Sequence, residues 1–394
     1  MKTSDIHDVA IVGAGPAGLS AAYELIRTGF TPLVLERTPA VGDVWRNHYD
    51  GLRLNSGRFF SALPGSKFPL SAGGWPSRDE VVSLLETFPA RGGFTVQTGI
   101  EVEKVSHDRE RDIWLITSNN GRQFESRAVV IAAGANRIPV IPEWEGKNTF
   151  TGTIIHSSQF KSAQDYAGKH VLVVGSGNSA AEIASRLAKY ADSETMSVRT
   201  PPQILPKSYY GIPLIGIGVW TRYLPRALVD GLLNFLRRTM IGDLSVYGLP
   251  SPTISMSKQY AINNVVPILY GPFIDDVRSG RIKIVGPVQK ISGGTVEVLS
   301  TVESALNGDQ ATTTLQPDII VAGTGFRTGF PELIQVPGIT DAKGRSKISG
   351  DQEFKGAPRL YFIGQINPLS GQLREIRLEA GRIARKLDKQ LRAK

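Results

Sequence analysis

The sequence predicts an α/β fold: two parallel-sheet units of Rossmann type, the second inserted into the first. Three observations predict it. Apolar runs at residues 9–12 and 171–174 each meet a glycine turn, at Gly13 and Gly175. Amphipathic segments follow both turns, with Leu19, Ala22, Tyr23 and Ile26 after the first and Ile183, Ala184, Leu187 and Ala188 after the second. Two more apolar runs, 128–133 and 319–322, each end at a glycine and read as strands completing the sheets.

The first turn is Gly13-Ala14-Gly15-Pro16-Ala17-Gly18. Its first glycine permits the bend, its second lets a pyrophosphate approach the backbone, and its third lets helix and strand pack closely. Phosphates then meet N–H groups at a helix N-terminus. A short strand at 33–35 ends in Glu36, 23 residues past Gly13, followed by Arg37. A carboxylate there accepts the ribose hydroxyls of an adenosine, so residues 9–36 read as a dinucleotide site.

Composition bounds the remainder. A chain of 394 residues suggests two or three domains, and 41% apolar with 21% charged residues suits a soluble protein with a large core. With no cysteine, disulfides and dithiol redox centres are excluded, and the five histidines show no metal-ligand spacing, so no metal is expected. Because the first strand begins by Val9, there is no room for a signal peptide, and a cytoplasmic location is the default. The net charge of +9 is dense in the last helix, at Arg374, Arg377, Arg382, Arg385, Lys386, Lys389 and Arg392. Leu373, Ile376, Ala380, Ile383, Leu387 and Leu391 line its other face, which reads as a docked helix with a solvated outer side, not a nucleic-acid surface.

Between Glu36 and the run at 128–133, a Gly/Pro-rich stretch at 43–78 carries Trp45 and Leu54-Asn55-Ser56-Gly57-Arg58 in loops of the kind that bind ligands. The runs 95–97 and 113–116 suggest strands of a small meander. The second turn, Gly175-Ser176-Gly177-Asn178-Ser179-Ala180, places alanine where the third glycine would be, an accepted small substitute. Twenty-three residues past Gly175 stands Val198, followed by Arg199 and Thr200. A guanidinium there pairs with a 2′-phosphate and an acid would repel one, which favours NADP over NAD. Glu194 lies four residues earlier and would weaken that reading in another register.

Residues 201–275 hold two apolar patches too short or too interrupted by charge to span a bilayer. They read equally as a substrate-channel insert and as a helical hairpin, with peripheral membrane contact left open. After them, the run 319–322 reads as the return to the first sheet, and a strand at 360–363 precedes the basic helix. The domain boundaries drawn this way are 1–160, 161–317 with the insert, and 318–394. A helix N-terminus near Gly371 and Gln372 would stabilise the charge of a reduced flavin.

This order resembles the flavin-containing monooxygenases over nearly the whole chain. Phe150-Thr151-Gly152-Thr153-Ile154-Ile155-His156-Ser157-Ser158-Gln159-Phe160 matches that family's fingerprint, just ahead of the second turn. Baeyer–Villiger relatives carry Trp followed by Pro or Asp where this chain has Phe160-Lys161, and the passages at 224–230 and 242–249 look most like the YUCCA-type branch. Gly323-Thr324-Gly325-Phe326 stands where the family usually has Ala-Thr-Gly-Tyr, and Leu54-Asn55-Ser56-Gly57-Arg58 where it has Thr-Asn-x-Pro-Lys.

The resemblance implies FAD at the Gly13 site and NADPH at the Gly175 site. It implies an NADPH- and O2-dependent monooxygenase acting through a C4a-(hydro)peroxyflavin on a small organic substrate. The reaction is N- or S-oxygenation, or oxidative decarboxylation of an aromatic 2-oxo acid such as indole-3-pyruvate. Asn55 then stands for the family's catalytic amide and Trp45 for its flavin-side aromatic. His156, Phe150 and Gly152 are architectural, while Gly325 and Gly364 close the flavin site. Rival readings are Baeyer–Villiger oxygenation, a flavin reductase and an NADPH sensor. A homodimer is left open.

Overall fold

The computed structural model describes residues 6–393 except 210–211, 215, 217–218, 220–223, 264–265 and 369. Its backbone falls into two compact units, Met1–Ile138 with Phe326–Lys394, and Pro139–Gly325.

The first unit begins as the turn chemistry dictates. Strand β1 (His7–Val12) passes through the glycine turn into helix α1 (Pro16–Arg27) and returns as β2 (Leu33–Leu35). A short helix α2 (Asp43–Arg46) and helix α3 (Arg78–Gly92) follow. The second is started by a capping box in which Ser77 and Glu80 satisfy each other's backbone N–H groups. Strand β3 (Val96–Gln97) pairs parallel with β2, so the run at 95–97 is an edge strand of the main sheet and not part of the meander. Strands β4 (Val102–Asp108), β5 (Ile113–Ser118) and β6 (Gln123–Ile131) form that meander. The last is long enough to do two things: its start pairs antiparallel with β5 and its end parallel with β1. Ala10, Val12, Val129 and Ile131 pack on one face of the sheet, Val9, Ile11, Ala128 and Val130 on the other, as expected of strands covered on both sides.

The chain leaves this unit at strand β7 (Ile138–Pro139). In the second unit β8 (Thr153–His156) is followed by β9 (His170–Val174), the second glycine turn, helix α4 (Asn178–Leu187) and β10 (Ser193–Ser197). The insert contributes a short β11 (Ser208–Tyr209) and β12 (Ile212–Pro213) pair and helices α5 (Arg226–Met240) and α6 (Met256–Asn263). Helix α7 (Gly271–Arg278) leads into β13 (Ile282–Val285). A second meander follows: β14 (Val288–Ser292), β15 (Thr295–Leu299), helix α8 (Val302–Asn307) and β16 (Thr312–Leu315).

Strand β17 (Ile319–Ala322) then corrects the expected boundary. It lies between β8 and β9, parallel to both, in a five-stranded sheet of order β13-β10-β9-β17-β8. The run at 319–322 therefore does not return to the first sheet, and residues 139–160 belong with the second unit, not the first. An apolar run states that a strand is buried on both faces, not which neighbours bury it. The return comes at β18 (Phe326–Arg327), followed by α9 (Phe330–Leu333), β19 (Leu360–Phe362) beside β6, and the terminal helix α10 (Gln372–Arg392). Helix α10 buries Leu373, Ile376, Ala380, Ile383, Leu387 and Leu391 in the core shared with α1 and leaves its basic side outward. No helix among the described residues is long and apolar enough to cross a membrane.

Candidate functional site

At the first turn the Gly13 N–H donates to the Leu35 carbonyl at 2.7 Å, which fixes the bend to β2. A Cβ on Gly13, whose φ is +104°, would lie 2.6 Å from the Ala132 carbonyl oxygen, and one on Gly18 would lie 1.8 Å from that of Gly13. Both positions therefore exclude a side chain. Gly15 is different: no atom lies within 4 Å of where its Cβ would be. It caps α1 with no side-chain hydrogen bond, and Pro16 follows at the first helical position. The arrangement is an open cradle at a helix N-terminus, which fits a pyrophosphate.

Glu36 is buried at this cradle. One carboxylate oxygen accepts the Ala14 N–H at 2.7 Å, the other the Thr38 N–H and hydroxyl, each at 2.9 Å. Of the four acceptor sites, the one left on the oxygen that takes the Ala14 N–H fits a ribose hydroxyl. Arg37, next in line, is exposed.

The second turn repeats the geometry with the Gly175 N–H donating to the Ser197 carbonyl at 3.0 Å. Ser197 therefore corresponds to Leu35 and Val198 to Glu36, the register the sequence suggested. Arg199 and Thr200 are exposed just beyond, and Arg199 makes no ion pair among the described residues. Glu194 is not the missing acid. It is buried at the start of β10, both its oxygens lack a hydrogen-bond partner among the described residues, and burial pushes its carboxyl well above the ordinary value. Gly177, like Gly15, is open, with nothing within 4 Å of a Cβ position.

The third positions of the two turns differ by a methyl group that changes sides. In the first unit Gly18 faces the methyl of Ala132, 3.3 Å from a Gly18 Cβ position. In the second, Ala180 carries the methyl and faces Gly323, whose own Cβ would lie only 2.7 Å from it. At Gly323 the Ala180 methyl leaves no room for a second one, which accounts for glycine there where the resembling family has alanine; at Gly18 it is the Gly13 backbone oxygen that leaves no room.

Asn178 departs from expectation. Its side chain does not point out of the turn: Nδ2 donates to the Pro267 carbonyl at 2.8 Å, and Oδ1 accepts the Leu269 N–H at 2.9 Å. Its backbone N–H, at the first position of α4, remains for a phosphate. Ser179 beside it is exposed.

Gly364, at the end of β19, is held by two side chains of α10. Its N–H donates to Glu379 at 2.8 Å and its carbonyl accepts from Gln372 at 3.2 Å. A Cβ there would meet that of Ala17 at 3.2 Å, so this turn lies against the first turn of α1. Glu379 is buried, also accepts the Ser349 hydroxyl at 2.8 Å, and has its carboxyl raised by burial. Sequence reasoning passed over it, although an acid between Ile376 and Ile383 on an apolar helix face was the signal.

The fingerprint residues are structural. A Cβ on Gly152 would strike the Asp318 carbonyl oxygen at 2.3 Å, Phe150 packs on the core of the second unit, and Phe160 stacks on Tyr166 at 5.3 Å. His156 is buried, bonds Ser158 through Nδ1 at 2.9 Å and Gly325 through Nε2 at 3.0 Å, and burial lowers its pKa. It thereby fixes Gly325, the last residue of the second unit.

Asn55 and Trp45 lie in the first unit. Trp45 packs against the core and tilts on His48 at 5.5 Å. The loop carrying Asn55 is folded on itself by bonds from Leu54 to Pro76 and from Arg58 to Gly74, both 2.8 Å. Asn55 itself is half-buried, and its amide makes no hydrogen bond among the described residues. The same loop exposes two large apolar side chains, Phe59 (85% exposed) and Leu70 (83%), which sequence reading had not singled out.

Two open glycine turns at helix N-termini, one with an acid and one with a cation beyond it, define an α/β protein of two dinucleotide-type units. The Pyridine nucleotide-disulphide oxidoreductase family matches residues 10–211. Indole-3-pyruvate monooxygenase YUCCA1 of Oryza sativa subsp. japonica is 32% identical over 362 residues, covering 91% of this chain and 86% of its own. The probable indole-3-pyruvate monooxygenase YUCCA4 of Arabidopsis thaliana is 30% identical, covering 90% and 84%. Among solved structures, the flavin-containing monooxygenase from Stenotrophomonas maltophilia superposes with a TM-score of 0.69 at 22% identity, covering 97% of this chain and 98% of that one. The chain belongs to the flavin monooxygenase family and is an FAD-dependent monooxygenase that uses NADPH.

Proposed function

We propose that the substrate is an aromatic 2-oxo acid such as indole-3-pyruvate, oxidatively decarboxylated at the expense of NADPH and O2. The observation that carries this reading is the 32% identity to an indole-3-pyruvate monooxygenase across 91% of the chain. Phe59 and Leu70 support it as an apolar platform for a ring, and Arg58, next to Phe59 in sequence, is the cation a carboxylate requires. Bound flavin supplies hydride acceptance and oxygen activation. In this reading the protein supplies position. Gly15, Pro16, Ala17 and Gly18 hold the flavin pyrophosphate, Glu36 the ribose, and the Gly364 turn brings the N-terminus of α10 to the ring. Gly175, Gly177 and the backbone at Asn178 and Ser179 hold the NADPH pyrophosphate, with Arg199 and Thr200 on its 2′-phosphate. Asn55 offers its amide at the reacting end, and Trp45 is the flavin-side aromatic.

Product analysis after incubation with NADPH and oxygen tests the substrate class. Indole-3-pyruvate should yield indole-3-acetic acid, while trimethylamine and a methyl sulfide should be poor substrates. Oxygenation of the amine or sulfide with indole-3-pyruvate untouched would overturn it. For Asn55→Ala we expect a severalfold rise in hydrogen peroxide released per NADPH consumed, at unchanged flavin content; an unaltered coupling ratio would remove its assigned role.

A further inference from the structure

The insert of residues 201–275 is rooted at the coenzyme turn. Its two ends meet where the Ile268 N–H donates to the Gln203 carbonyl at 2.8 Å and the Leu205 N–H to the Ile268 carbonyl at 2.9 Å. From that root the bonds run outward. Gln203 Nε2 donates to the Ile254 carbonyl at 2.8 Å, and Ser257 at the start of α6 donates its N–H and hydroxyl to Asp230 of α5 at 3.0 and 2.6 Å. Inward, the root is held by the Asn178 amide, which clasps Pro267 and Leu269.

Asn178 thus belongs to two structures at once. Its backbone opens α4, whose first turn has no side-chain cap. Its side chain reaches partners 89 and 91 residues away, which is not the local bonding of an ordinary turn asparagine. We propose that Asn178 is a positioning residue coupling the NADPH turn to the insert. Uptake of the coenzyme pyrophosphate at the turn orders residues 203–205 and 267–269, and through Ile254 and Asp230 the helices they support. Charge-assisted bonds to phosphate stiffen the turn, and a stiffer turn restrains the amide built on it. The coupling is reciprocal, so an ordered insert also tightens coenzyme binding. This inference rests on assigning the NADPH phosphates to the Gly175 turn.

Amide hydrogen exchange on the FAD-loaded full chain, with and without saturating NADP+, is the test. NADP+ should slow exchange at Leu205, Ile268 and Leu269 by about tenfold in the wild type and by less than about twofold in Asn178→Ala. Asn178→Asp keeps the acceptor for Leu269 and loses the donor to Pro267, and should fall between the two. No slowing in the wild type, or equal slowing in Asn178→Ala at saturation, would overturn the coupling. The phosphate assignment is read separately by titrating 2′,5′-ADP: an affinity unmoved by Gly177→Ala would refute that assignment and the inference with it, whereas weakened binding with no exchange effect of NADP+ would refute the coupling alone.

Discussion

The two dinucleotide units solve the same packing problem with opposite residues and different ligand problems with a single position. Where helix meets strand, the first unit puts glycine on the helix and alanine on the strand, at Gly18 and Ala132, and the second reverses them, at Ala180 and Gly323. At the end of the second strand the first unit has Glu36 and the second Val198 with Arg199 beyond. Close approach is set by a backbone oxygen at Gly18 and by a facing methyl at Gly323, whereas in the proposed reading coenzyme choice follows the charge at one site.

The largest effect is expected where no partner can give way. Gly18→Ala forces a Cβ against the backbone oxygen of Gly13, and we expect more than about 3 kcal/mol of destabilisation in urea unfolding, with loss of bound FAD. Gly323→Ala should cost about 1–3 kcal/mol by overpacking against Ala180, and adding Ala180→Gly should recover most of it. A double variant no better than the single one would break the methyl exchange. Next in size is coenzyme preference. Arg199→Ala should raise the KM for NADPH but not for NADH, by a charged hydrogen bond worth about 1.5–3 kcal/mol. Equal effects on the two coenzymes would remove the distinction between Glu36 and Arg199.

The smallest expected effect concerns Glu194, an acid that the first unit lacks at the equivalent depth. Folding leaves its carboxyl unpaired and raises its pKa. The unfolded chain ionises this group near pH 4.3, while the folded chain keeps the proton until a higher pH. Between those values the folded state holds one more proton, so stability declines as pH rises, by about 1.4 kcal/mol per unit. Glu194→Met should stabilise the protein by about 1–3 kcal/mol at neutral pH and flatten that decline. Thermal melts at pH 4 and pH 8 check it, and an unchanged slope would show that Glu194 does not titrate with folding.

Much of this was legible in the residues. The turn, the helix after it and the acid 23 residues on are local features, each requiring its own residue type, so Gly13 to Glu36 and Gly175 to Arg199 read correctly in register. What failed was non-local. Nothing in Ile319–Ala322 names β8 and β9 as its neighbours, and Val96–Gln97 is too short to reveal that it pairs with β2. The bonds of the Asn178 amide were equally out of reach, because Pro267 and Leu269, which hold it, lie far along the chain. Glu379 and the exposed Phe59 and Leu70 likewise acquire meaning only from what surrounds them.

The division of labour between the turns is tested most directly by placing the same methyl in each open cradle. Neither Gly15 nor Gly177 has a protein atom within 4 Å of its Cβ position, so both alanine variants should fold. Purified side by side, Gly15→Ala is expected to be colourless, and Gly177→Ala to stay yellow yet need about tenfold more NADPH to bleach its flavin without oxygen. Two yellow proteins with an ordinary NADPH response would contradict the account, and so would two colourless ones.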